Sequence, residues 1–175
     1  MATLIVARDQ KSGIGKNGSL PWHCPEDLRH FKRLTTNMTV LMGVNTALCC
    51  IKRPLPNRNN WVLVPQDREV PAELADAASG WTVFRDVHSA LRAQPHLFVI
   101  GGASLYKDLV YHPYVTDAHV TEIDADYDCD RFFDYEFRYP GWLSDVVARH
   151  PATDDGVGFV IHRHVRMPSV VGGAP

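Results

Sequence analysis

Short apolar runs rich in Val, Ile and Leu recur along the chain: "TLIVA", "TVLMG", "NWVLV", "WTVF", "LFVIGG", "DAHVTEI" and "GFVIHRHV". Their length and β-branched content predict strands. Between the early runs lie segments with helical spacing, over 26–36, 44–51, 71–78, 86–93 and 103–110. Strand and helix alternate up to about residue 110, which implies parallel pairing through right-handed crossovers. Beyond that point strand follows strand, which implies an antiparallel edge. The expected fold class is α/β, a single domain with a mixed, mainly parallel central sheet, helices on both faces and an antiparallel C-terminal edge. Ligands are expected near the carboxyl ends of the parallel strands.

The first helical segment, "PEDLRHFKRLT", places two acids in its opening turn after Pro25. Proline suits the first helical position, and acids there are favoured by the helix dipole. At 3.6 residues per turn, Glu26, Arg29, His30 and Arg33 share one face, expected to meet solvent. Asp27, Phe31 and Leu34, with Leu28 beside them, share the other. A carboxylate on an apolar face is costly unless something pairs with it. Position alone leaves two readings of Asp27, an acid at a helix start or an acid whose partner arrives with a ligand.

The length of 175 residues suits one domain, with the final segment "VVGGAP" lacking periodicity, so that residues 1–168 form the domain and 169–175 a flexible tail. A hydrophobic content of 45%, a charged content of 22% and a net charge of -2 are ordinary for a globular protein and argue against a nucleic-acid or membrane-surface binder. The start "MATLIVARDQ" has no basic leader region and reads as a strand. A cytoplasmic protein is expected. Cys24, Cys49, Cys50 and Cys129 show no paired spacing and read as free thiols. No metal is expected, because His162 and His164 in "VIHRHV" share a strand face without a third ligand and read as surface histidines.

Two strand-to-helix junctions carry glycine. In "FVIGGASLY", Gly101 and Gly102 let backbone approach a ligand closely, with a helix start behind them. In "VLMGVNT", Gly43 is followed by Asn45 and Thr46, which suit an N-cap. Two such junctions suit the pyrophosphate of a dinucleotide. The segment 13–24, "GIGKNGSLPWHC", is long enough to act as a lid and ends at the helix of Asp27. Arg58, after the turn "RPLPN", offers a cation for a ligand carboxylate.

Together "GIGKNGSLPWHCPEDLRHFKRLT", "VLMGVNT", "RPLPNR", "FVIGGASLY" and "HVTEID" occur in the order and spacing of dihydrofolate reductase, which the chain resembles closely over residues 3 to about 135 and loosely thereafter. The resemblance implies NADPH as cofactor, dihydrofolate as substrate and a monomer. It implies catalytic roles for Asp27, Trp22, Leu20 and Thr121, with Asp27 accepting hydrogen bonds from the pterin, Thr121 supporting it and Trp22 holding a water nearby. It also implies a substrate site of Ile5, Val6, Ala7, Leu28, Phe31, Lys32, Ile51, Leu55, Arg58, Ile100 and Tyr106. For the cofactor the resemblance points to Ala7, Ile14, Gly15 and Gly18. It adds Gly43, Val44, Asn45, Thr46, Leu63 and Val64 from the middle of the chain. The later glycine junction contributes Ile100, Gly101, Gly102, Ala103, Ser104, Leu105 and Tyr106.

Four positions depart from the family pattern. Val44 stands where a basic residue is usual, Val64 and Pro65 where serine and polar or basic residues are usual, and Arg131 where threonine is usual. Each departure concerns the dinucleotide. The rival readings are a catalytically silent folate- or nucleotide-binding paralogue and a riboflavin-pathway reductase of related fold. Asp27 and the "LPWHCPED" segment argue against the second.

Overall fold

The computed structural model describes residues 1–153 and 156–168; the tail expected over 169–175 lies outside the described residues. Among them are β1 Ala2–Arg8, β2 Gly13–Gly15, β3 Thr39–Gly43, β4 Asn59–Leu63, β5 Trp81–Phe84, β6 Leu97–Val99, β7 Val115–Ile123, β8 Arg131–Phe132, β9 Trp142–His150 and β10 Phe159–Arg166. The helices are α1 Pro25–Thr35, α2 Ala72–Ala75, α3 Val87–Ala93 and α4 Ala103–Leu109, with a π-helix over Thr46–Ile51 and a 3₁₀ turn over Ala77–Ser79.

Eight strands form one sheet in the order β5-β4-β3-β6-β1-β7-β10-β9, and β2 pairs with β8 separately. The six strands from β5 to β7 in that order are parallel, whereas β10 runs antiparallel to both β7 and β9. Because β6 returns between β1 and β3, the chain reverses its direction of travel across the sheet there. The carboxyl ends of β1, β3 and β6 therefore flank the place where such sheets bind ligands.

Strand alternation assigns the two faces. Leu4 and Val6 of β1 lie with Leu41, Val99, Ala118 and Val120 beneath Ala90 and Leu91 of α3 and Leu105 and Leu109 of α4. Val40, Met42 and Val62 point the other way, under Ala47 of the π-helix and Leu74 of α2. The second face also carries α1, whose Asp27 and His30 meet Thr121 and His119 of β7. Each fully buried Leu or Val contributes about 1.5–3 kcal/mol, so both faces are needed to hold the sheet.

Several expectations change. The helix expected over 71–78 divides into α2 and the 3₁₀ turn, where the Asp76 side chain accepts from the Ala78 amide at 2.8 Å. The one over 44–51 winds as a π-helix closed by the Lys52 amide on the Ala47 carbonyl at 2.7 Å, a five-residue span. The short β2 and β8, and β9 with its mostly exposed side chains, carry no alternating pattern that would predict them. His30, expected on the solvent face of α1, is buried, and Leu28 is 47% exposed. His164 is buried too, stacked on Phe137 at 4.5 Å and hydrogen-bonded with Ser144 at 2.6 Å, so it is not a surface histidine.

Candidate active site

Pro25 opens α1 and Cys24 precedes it without a side-chain cap, so the dipole of the first turn falls on Glu26 and Asp27. The two acids differ in surroundings. Glu26 pairs with Arg29 along the helix, whereas Asp27 turns to the sheet and accepts a hydrogen bond from Thr121 Oγ1 at 2.5 Å. Burial raises the Asp27 carboxyl above its ordinary value, against the Thr121 hydroxyl and His150, which pull it down. Just before α1, Trp22 is buried with an Nε1–H that meets no protein acceptor among the described residues. A buried donor without a partner is rare and is satisfied when a polar molecule binds there.

Ile5 and Ala7 of β1, Phe31 of α1, Ile51, Leu55 and Ile100 are all half-buried, as apolar walls of a ligand site should be when nothing covers them. Leu28 and Leu20 are exposed. Val6 is a correction: alternation turns it into the α3–α4 core beside Leu4, so its side chain is not a wall of the site. Arg58 is half-buried, and its guanidinium donates to Thr35 Oγ1 at 3.1 Å and to the Pro56 carbonyl at 2.7 Å. Its remaining donor capacity stays in one orientation, which suits a carboxylate. Desolvation lowers the Arg58 pKa from its ordinary value. Lys32 is exposed.

The two glycine junctions meet. The Gly43 amide donates to the Gly101 carbonyl at 2.7 Å, and Gly101 and Gly102 are joined by a cis peptide. Gly101 has φ 113°, which favours glycine, and a Cβ there would stand 3.2 Å from Tyr106 Oη. A Cβ on Gly102 would stand 3.0 Å from Thr46 Oγ1. Neither position has room for a side chain, so bare backbone stands at the ends of two neighbouring strands, an arrangement that fits the phosphates of a dinucleotide. Tyr106 is fixed from below, its hydroxyl donating to the Ile5 carbonyl at 2.5 Å. Ala103 is half-buried and Ser104 exposed.

At the same end, three expected cofactor residues turn inward. Leu105 belongs to the α3–α4 core, and Val44 and Val64 to the opposite core. Leu63 packs half-buried beside Trp61 and Phe84. Asn45 does not cap the helix; it is exposed, and its Oδ1 accepts from Arg68 Nη1 at 2.9 Å. Arg85 donates to the carbonyls of Gln66 and Arg68 at 2.9 and 2.8 Å, which ties the loop after β4 to the end of β5. Arg131 stands exposed on β8.

The segment 13–24, the candidate lid, is anchored by groups that carried no signal as isolated residues. Asp9, 2% exposed, accepts from the amides of Lys11 and Gly13 at 2.9 and 2.7 Å and of Tyr127 at 3.1 Å. Burial works against this carboxylate, yet those amides hold it below its ordinary pKa. Gly13 has no room for a side chain, since a Cβ would stand 2.5 Å from that of Cys129. Ile14 packs half-buried on the core, and Gly15 accepts from the Asp130 amide at 3.0 Å while Asp130 Oδ2 accepts from Asn17 at 3.0 Å. Across the mouth, Cys50 Sγ of the π-helix donates to the Gly18 carbonyl at 2.8 Å.

This geometry has known counterparts. A family model described as dihydrofolate reductase matches residues 1–161. A dihydrofolate reductase of Bacillus subtilis (strain 168) is 37% identical over 155 residues, 89% of this chain and 86% of the relative. One of Staphylococcus aureus (strain Mu50 / ATCC 700699) is 33% identical over 131 residues, 75% of this chain and 76% of the relative. A solved dihydrofolate reductase from Enterococcus faecalis, complexed with NADP(H) and RAB-propyl, superposes with a TM-score of 0.79 at 27% identity, covering 95% of this chain and 96% of that one. A match along the whole sheet, together with the carboxylate of α1 and the glycine cradle of β6, has one reading: the chain belongs to the dihydrofolate reductase family.

Proposed function

We infer that Asp27 is the group that receives the pterin ring in the reaction of this family. The chain is an NADPH-dependent dihydrofolate reductase, which converts 7,8-dihydrofolate to 5,6,7,8-tetrahydrofolate. NADPH, when bound, supplies the hydride that reaches C6 of the dihydropterin. The observation that carries the assignment of Asp27 is its burial against β7 with Thr121 as hydrogen-bond donor at 2.5 Å. A carboxylate so placed has acceptor capacity to spare and is matched by the ring N–H and amino group of a pterin. The raised carboxyl polarises the ring, and N5 receives its proton through water held near Trp22 Nε1. Ile5, Ala7, Phe31, Ile51, Leu55 and Ile100 exclude competing water and hold the reacting rings together. Arg58, held by Thr35, clamps the carboxylate of the glutamate tail, with Lys32 nearby.

Gly43, Thr46, Gly101 and Gly102 hold the cofactor's phosphates. The 2′-phosphate finds no cation at positions 44, 64 or 65, and Arg68, aligned by Asn45, takes that role from the solvent side. No helix among the described residues is long and apolar enough to cross a membrane. With four free cysteines, the protein suits a reducing cytoplasm, where it acts as a monomer.

The test is the loss of reduced-nicotinamide absorbance with dihydrofolate present, measured with NADPH and with NADH. Turnover with NADPH is the expected result. Tight folate binding with no turnover on either cofactor identifies a silent paralogue instead.

A further inference from the structure

One turn along α1 from Asp27, a second polar contact joins that helix to β7. Arg33 Nη2 lies 2.9 Å from His30 Nδ1, and His30 Nε2 lies 3.2 Å from His119 Nδ1. A guanidinium only donates, so His30 Nδ1 is an acceptor and the His30 proton sits on Nε2. That proton is given to His119 Nδ1, which places the His119 proton on Nε2. The three side chains therefore form one directed chain, Arg33 to His30 to His119, in which both imidazoles are neutral. Its middle member is enclosed: His30 is 6% exposed, with its ring 5.2 Å from that of half-buried His119 between the helix and the sheet, while Arg33 reaches solvent.

We propose that the His30–His119 pair is a positioning device for the catalytic carboxylate, holding α1 in register on β7 only while both rings are neutral. His119 and Thr121 lie two residues apart on β7, and His30 and Asp27 lie three apart on α1, so the two contacts are adjacent rungs between the same elements. A shift of α1 that breaks the histidine rung displaces Asp27 from Thr121. Protonating His119 at Nδ1 removes the acceptor, and protonating His30 at Nδ1 sets a cation against Arg33. The charged groups around the rung are Arg33 on α1, Asp117 on β7 and Arg163 on β10. Arg163 is the cross-strand partner of His119 and already pairs with Asp117 at 2.6 Å. Two cations against one engaged anion leave no counter-charge for an imidazolium. Burial and these cations keep His119 low, at about 4, and lower His30 as well. Folded-state values below the ordinary histidine value make the unfolded chain bind protons first. Stability is therefore intact above pH 6.5 and falls as pH drops from there towards about 4.

The inference rests on the assignment of Asp27, and its test separates the two. In the full-length protein, His119→Gln keeps an acceptor for His30 but does not titrate, and His119→Phe keeps bulk without an acceptor. At about pH 7.5 the Gln variant is expected to hold the KM for dihydrofolate within about twofold, and the Phe variant to raise it about tenfold with the KM for NADPH unchanged. Between about pH 6 and 4, the range in which His119 begins to take up its proton, the parent's KM for dihydrofolate should rise about twofold more than that of the Gln variant. Nitrogen chemical shifts of the parent should show His119 Nδ1 unprotonated at about pH 6. The proposal is overturned if His119 titrates like an exposed histidine, or if parent and Gln variant share one pH profile. Should the Phe variant not fold, the Gln profile and the chemical shifts decide. Asp27→Asn with full activity overturns the Asp27 assignment while leaving the His119 titration readable.

Discussion

At the proposed pterin end, between α1 and β7, one carboxylate is buried with a protein hydroxyl as its donor, whereas at the proposed dinucleotide end the buried positions are Val44 and Val64 and the cations stand outside. The two ends receive charge of opposite sign. A pterin brings N–H donors, so the protein must supply an anion, and the cost of burying it is offset when those donors arrive. A dinucleotide brings its own anions, so the protein needs only amide groups, open backbone and a cation within reach. The first task demands a buried side chain at one point. In the proposed site the second is met by backbone at Gly43, Gly101 and Gly102, and its cation can move along the surface without disturbing the core. That is why the departures from the family pattern gather at the dinucleotide end.

Asp27→Asn tests the contrast most severely. The fold should survive, since the carboxyl is already raised by burial and an amide fits the same space. Turnover at neutral pH should fall about a hundredfold or more, because an amide cannot be the anion the pterin's donors require. Activity should recover in part as pH falls and the substrate arrives protonated. Single-turnover rates across pH measure both effects.

Arg58→Ala comes next. It should raise the KM for dihydrofolate about ten- to a hundredfold, the equivalent of about 1.5 to 3 kcal/mol for a lost charge-assisted contact, with the KM for NADPH unmoved. A pterin lacking the glutamate tail should bind parent and variant alike. An unchanged KM for dihydrofolate removes Arg58 from the site.

Arg68→Ala probes the other end. Its guanidinium is exposed and held by Asn45, so its loss should narrow the kcat/KM advantage of NADPH over NADH by about three- to tenfold, and rising salt should blur the difference. A strong NADPH preference that survives the change points to Arg85 instead. Placing a base at position 44 is not the inverse experiment, because Val44 is 5% exposed within the core and an arginine there would have to leave it or be buried.

The smallest effect belongs to Glu26→Gln. The neighbouring acid pairs with exposed Arg29 and faces away from Thr121, so kcat and KM should stay within about twofold of the parent. A large loss would mean that the first turn of α1, rather than one carboxylate, sets the chemistry.

Local pattern alone determined much of this protein. Apolar runs placed most strands of the large sheet, because a strand buried on both faces is a continuous Val, Ile and Leu run. The motifs around Asp27, Gly43 and Gly101 marked the candidate site for the same reason, each being a short segment whose backbone and chemistry are set within a few residues. What could not be read there depended on partners far along the chain. Whether Asp27 capped a helix or met the sheet was decided by Thr121, 94 residues away. Helical periodicity sent His30 to solvent, but His119 on β7 gave its ring a partner, and a polar side chain with a buried partner can sit where the pattern expects water. Val6 and Leu105 fell out of the site because alternation and helix phase turn their side chains into the core. The lid's anchors, Asp9, Asp130 and Cys50, came from three separate segments. Hydrogen bonds between distant segments leave no periodic trace, so only the assembled sheet brought them together.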